Sequence, residues 1–111
     1  MKSERPRARR YPFVTNIELT DLESETQLVE QMSDLNLFGC HVDARRLLPK
    51  GTRVRIRVVH GGATFIALGK VAYAEEDLGM GLAFTKIESN HQLVLERWIA
   101  ELRDAGERVQ S

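Results

Sequence analysis

Apolar and polar residues alternate along most of this chain, which is the pattern of half-buried β-strands. In residues 13–19, Phe13, Thr15, Ile17 and Leu19 make one face and Val14, Asn16 and Glu18 the other. Pro12, just before, suits a strand start or a sheet edge. Residues 25–32 set Thr26, Leu28 and Glu30 against Gln27 and Val29, although residues 28–32 also fit one turn of helix. A third strand over 39–42 turns Cys40 and Val42 inward and His41 outward. Residues 52–60 alternate most cleanly, with Val54, Ile56 and Val58 opposite Arg53, Arg55 and Arg57. Gly61-Gly62 predicts a two-residue hairpin turn into a strand over 63–74, where Gly69 marks a bulge or bend. The acidic turn Glu75-Glu76-Asp77 leads to a last strand over 79–84.

Beyond it the period changes. Leu95, Trp98, Ile99 and Leu102 fall on one helical stripe, Ser89 and Gln92 form a capping box, and Gly106 is placed to end the helix. About six short strands followed by one amphipathic helix predict a small antiparallel barrel or sandwich, with the helix over one opening or face. The chain divides into a flexible basic arm over residues 1–10, a barrel-plus-helix domain over 11–104 and a frayed tail over 105–111.

Residues 33–40, Ser-Asp-Leu-Asn-Leu-Phe-Gly-Cys, interrupt this regularity. In an extended chain Asp34 and Asn36 point one way, and Leu35 and Leu37 point the other way into the core. Gly39 closes the stretch where the backbone bends or meets something closely. Such a segment can hold a planar polar ligand. It can equally be a turn stapled by Asx hydrogen bonds.

With 111 residues the chain is the size of one domain and can bury a core without disulfide or metal. Sixteen basic residues balance sixteen acidic ones, so total charge calls for neither nucleic acid nor membrane. Cys40 is the single cysteine, and His41, His60 and His91 have no zinc-finger spacing. No apolar run reaches bilayer length and none follows the basic N-terminus at signal-peptide length, which predicts a cytoplasmic protein. Catalysis finds no support. Cys40 and His41 are neighbours on a strand and point to opposite faces, so they make no nucleophile–base pair. Neither Gly61-Gly62 nor Gly79-x-Gly81 has the context of a phosphate loop, and calcium-loop spacing is absent. Small barrels do bind single-stranded nucleic acid, but such faces interleave aromatics with cations, and Arg53, Arg55 and Arg57 stand without them. A solvated strand face accounts for that ladder, and a core anchor accounts for Trp98.

The arm is the exception. Residues 5–10 hold four arginines, Arg5, Arg7, Arg9 and Arg10. Guanidinium groups pair bidentately with phosphate and read the N7/O6 edge of guanine, so an anionic or acidic partner is one reading and a solubilising tail the other.

Taken together, the arm and the 33–40 stretch resemble the PilZ family. That family carries R-x-x-x-R just before its first strand, here Arg5-Pro-Arg-Ala-Arg9, and D/N-x-S-x-x-G near a later strand, here Asp34-Leu-Asn36-Leu-Phe-Gly39. The glycine-containing run 78–84 resembles its closing strand, so the likeness spans nearly the whole chain. It implies a six-stranded antiparallel β-barrel with a C-terminal α-helix that binds cyclic di-GMP and needs no cofactor. By the same likeness, Arg5 and Arg9 grip phosphates and guanine edges, while Asp34, Asn36 and Gly39 hold a guanine on the barrel surface. The arm then orders over the ligand and a downstream partner protein reads the change. The family's serine is Asn36 here, a larger residue that still offers an acceptor and donors. Family members with degenerate motifs act instead as protein-interaction modules without the nucleotide.

Overall fold

The computed structural model describes residues 9–110. Six strands precede one helix: β1 (Tyr11–Asp21), β2 (Gln27–Leu35), β3 (Gly39–Asp43), β4 (Arg53–His60), β5 (Ala63–Glu75), β6 (Gly79–Lys86) and α1 (Ser89–Gln110). All neighbouring strands pair antiparallel and close into a barrel in the order β1-β2-β3-β6-β5-β4, with β4 returning to β1. Closure leaves no long free sheet edge, and it puts one face of every strand into a shared interior.

The alternation read from the sequence is the alternation in space. Phe13, Ile17 and Leu19 of β1, Val54, Ile56 and Val58 of β4, and Phe65, Ala67 and Val71 of β5 are all buried. Residues 28–32 are strand, so the helical alternative for them falls away. His60 faces Ala63 across the Gly61-Gly62 turn, where both glycines take positive φ (60° and 79°) as a tight hairpin requires. The β5–β6 ladder slips between Leu68 and Gly69, the bulge that Gly69 led us to expect.

One barrel end is closed by α1. Leu95 and Trp98 are buried, and the Trp98 ring packs against Phe13, His60 and Phe65 at centroid distances of 5.6, 5.7 and 6.2 Å. Ile99 and Leu102 pack at the margin of the same core. Ala44, Leu47 and Leu48, between β3 and β4, also pack against the core. Glu30 tethers that connection, its carboxylate accepting from the Arg45 backbone N–H (3.1 Å) and the Arg46 guanidinium (3.4 Å).

Three expectations are corrected. The helix begins one residue early: the Glu88 carbonyl accepts from the backbone N–H groups of His91 and Gln92, and the Gln92 side chain bonds Glu96 at 3.0 Å. Ser89 is therefore inside the first turn, and the capping box does not form. Gly106 does not end the helix, which runs on to Gln110, because a glycine weakens a helix without forbidding it. Leu37 does not point into the core. It is 39% exposed and Phe38 is 64% exposed, because β2 ends at Leu35 and the chain turns there.

Candidate functional site

The site is built by an irregularity in β2. Met32 and Leu35 both face the core, although three positions separate them. A regular strand would have sent Leu35 outward and Asp34 inward with Met32. The ladders slip between Met32 and Asp34 on the β3 side and between Pro12 and Thr15 on the β1 side. The extra residue at Ser33 resets the phase, as a bulge does. Asp34 is thereby delivered to the outer surface, opposite Pro12 on one side and His41 on the other.

The turn that follows is held by Asn36. Its Oδ1 accepts from the backbone N–H of Phe38 (2.7 Å) and of Gly39 (2.9 Å), and its own N–H donates to the Gly39 carbonyl (2.9 Å). This is the Asx-stapled turn that the sequence left open against a ligand contact. The two are compatible, since the bonds to the turn engage Oδ1 and not the Asn36 amide NH₂. Gly39 then enters β3 so close to β6 that a Cβ would fall on the Leu82 carbonyl oxygen.

Beside this turn the barrel surface is unusually bare. Outward positions of neighbouring strands carry Gly39 opposite Ala83 and His41 opposite Gly81, with Ala72 alongside. Cys40 and Leu82, the alternate residues, are buried beneath. Gly39, Ala72 and Ala83 leave a floor of small residues, bordered by His41 and by the Tyr73 ring over Gly81. Two adjoining hollows of about 180 and 490 Å³ lie over it and share Arg10, Asp34 and Tyr73. Tyr73 forms a wall: its ring occupies the space a Gly81 side chain would fill, and its hydroxyl bonds His41 Nδ1 at 2.7 Å. His41 Nε2 lies 2.5 Å from the Leu78 carbonyl, which can only accept, so Nε2 carries a proton while Nδ1 faces the Tyr73 hydroxyl.

The structure brings Asp34, Asn36 and Gly39 to one cleft and adds Arg10, whose guanidinium is 3.9 Å from the Asp34 carboxylate. Arg10 is more than half exposed, so this pair contributes at most about 1 kcal/mol and can be exchanged for a ligand contact. Arg9 precedes it in the chain but is not among the residues lining either hollow; its guanidinium carbon lies 5.6 Å from the centre of the Tyr11 ring. Arg5 lies outside the described residues. Burial, with the Asp34 charge adding to it, pushes the Cys40 thiol up to about 12, so Cys40 is a core residue and not a nucleophile. Sequence reasoning passed over Tyr73, His41 and Gly81. The run of small outward residues at Gly81 and Ala83 was the available signal, and it acquires meaning only once β3 and β5 flank it.

Among the described residues, no group of three or more His, Cys, Asp or Glu side chains could hold a metal ion, and no helix is long and apolar enough to cross a membrane. The class is thus a closed six-stranded antiparallel barrel, capped by one helix, with a shallow polar-rimmed cleft on its outer wall. The PilZ domain family model matches residues 4–101, and the chain belongs to that family. Solved structures agree on the fold. The PilZ domain of CeSA from a cellulose-synthesizing bacterium is 20% identical, with a TM-score of 0.70 over 86% of this chain and 98% of that one. The PilZ domain of YcgR with c-di-GMP, from Escherichia coli, is 18% identical, with a TM-score of 0.69 over 97% of this chain and 99% of that one. YcgR from Escherichia coli in complex with c-di-GMP gives 23% identity and a TM-score of 0.73, over 96% of this chain and 50% of that one. No curated protein matches the chain.

Proposed function

We propose that this protein is a cyclic di-GMP receptor that orders its basic arm on binding and signals to a partner protein. The observation that carries the reading is the meeting of Arg10 and the Asp34–Asn36–Gly39 turn at one cleft. A guanine is planar, and the small residues Gly39, Ala72 and Ala83 at the cleft leave room for it to lie flat beside the Tyr73 ring. The Asp34 carboxylate accepts from the guanine N1–H and exocyclic amine, and the Asn36 amide donates to a ring acceptor. The arm guanidiniums take phosphate oxygens and the N7/O6 edge in bidentate fashion. Arg5 and Arg9 remain the family's clamp, and Arg10 and Tyr73 are added here as the arm's anchor on the cleft and the wall for the base. The reading gains support from family membership and from the neighbours solved with c-di-GMP. It is a binding role and involves no catalytic step.

Asn36 favours a second reading. Its carbonyl oxygen is committed to the turn, which leaves only amide donors for a ligand. A nucleotide-independent protein-interaction module follows if those donors do not suffice. Calorimetric titration with cyclic di-GMP, with GTP as control, separates the two. Saturable selective binding, lost in Arg9→Ala, is the expected result. Binding that survives Arg9→Ala unchanged would refute the assigned clamp; a folded protein that binds no nucleotide would refute the receptor reading and point to Asn36 as the disabling change, and a nucleotide-independent pull-down partner would then favour the module.

A further inference from the structure

The arginine ladder of β4 lies directly across the barrel from β3, away from the cleft. Its three members are not equivalent. Arg57 is paired with Glu18 of β1 at 2.9 Å. None of the ion pairs among the described residues involves Arg53 or Arg55, or Lys70 of β5. Arg53 and Lys70 are direct cross-strand partners, and both are exposed. Like charges directly opposite one another destabilise a sheet. The chain carries as many acidic as basic residues, yet the residue across from Arg53 on β5 is a second cation.

We infer that the outer face of β4 and β5 is a docking surface for an extended acidic segment of a partner protein. Alternate residues of an extended strand repeat every ~7 Å, so Arg53 and Arg55 match carboxylates at alternate positions of such a segment. Arginine holds carboxylate bidentately. Beside the cations run Leu68, across from Arg55, and Ile66, across from Arg57, both half-buried. These apolar positions suit a segment that carries apolar residues next to its carboxylates, and they offer nothing to phosphates. The residues paired with Arg53, Arg55 and Arg57, namely Glu18 and Thr20 of β1 and Ile66, Leu68 and Lys70 of β5, include no aromatic ring on which bases could stack, which disfavours single-stranded nucleic acid. Ile66 and Leu68 are only half-exposed, which leaves little apolar surface beside the cations to insert into a lipid surface. The proposal does not depend on nucleotide binding, because β4 contributes nothing to the cleft.

The test is fluorescence anisotropy with a fluorescein-labelled (Glu-Leu)₄ peptide at low salt. Three proteins are compared: the parent, Arg53→Glu/Arg55→Glu, and Arg97→Glu/Arg103→Glu, which makes the same change in net charge on exposed helix positions. Melting curves establish that each is folded. The expected result is saturable binding by the parent, a loss of tenfold or more in the ladder variant, and little change in the helix variant. A (Lys-Leu)₄ peptide should not bind. Equal loss in both variants, or no binding by the parent, overturns the proposal. A dT12 oligonucleotide and phosphatidylglycerol vesicles are run in parallel, and tighter ladder-dependent binding to either one also overturns it in favour of that class.

Discussion

Replacing Asn36 with alanine tests how much of the site's geometry one side chain maintains. The substitution removes the acceptor of two backbone hydrogen bonds, at 2.7 Å from Phe38 and 2.9 Å from Gly39. Each such bond contributes about 1 kcal/mol net. The turn is partly exposed, so water can take up the freed N–H groups, and the Asn36 N–H to Gly39 carbonyl bond persists. The expected destabilisation is therefore about 1–2 kcal/mol. For a domain near this size each kcal/mol lowers the melting temperature by about 4–8 °C, so the variant should melt about 4–16 °C below the parent. Asn36→Ser supplies a hydroxyl acceptor at the same place and should recover most of that loss. Differential scanning calorimetry reads the stability, and the cyclic di-GMP titration reads the cleft. A melting temperature within about 2 °C of the parent for Asn36→Ala would show that the turn holds itself without the side chain. The account of how the floor and Asp34 are kept in register would then be wrong.

Trp98→Ala should destabilise by about 3–5 kcal/mol, measured by chemical denaturation, because it empties the contact that seals the barrel against Phe13 and Phe65. A loss below about 1 kcal/mol would mean that the helix does not close the barrel. Gly81→Ala forces the Tyr73 ring off its seat and breaks its bond to His41, so it should lower both the melting temperature and cyclic di-GMP affinity. Gly106→Ala, where no atom stands in the way of a Cβ, should act in the opposite direction on stability. Cys40 should resist iodoacetamide at pH 8 in the native state and react once the protein is unfolded in urea. Its folded value of about 12 lies above the unfolded one, so the folded state keeps a proton that the unfolded state releases. Stability should therefore fall as pH rises from about 9 towards 12, and a Cys40→Ala protein should lose that component of the slope.

Local pattern carried much of this protein. The two-residue period at Ile17 and Leu19, and at Val54, Ile56 and Val58, named the core before any contact was known, because a side chain's face on a strand depends only on its parity. The switch to a helical stripe at Leu95 and Trp98 was equally local, and so was the turn propensity of Asn36 and Gly39. Other features depend on register between distant segments. The bulge at Ser33 that sends Asp34 outward is a property of how β2 pairs with β1 and β3. The exposure of Leu37 follows from β2 ending two residues earlier, and a run of apolar residues does not reveal that end. Arg10 was one charge among several until the fold set it beside Asp34. Tyr73 was one more strand residue until the β5–β6 slip between Val71 and Tyr73 laid its ring over Gly81. Sequence by itself determined which residues form strands, which face the core and which polar groups were available. The tertiary structure alone decided which of those groups share a cleft, because that depends on barrel closure and bulges, which no local period encodes.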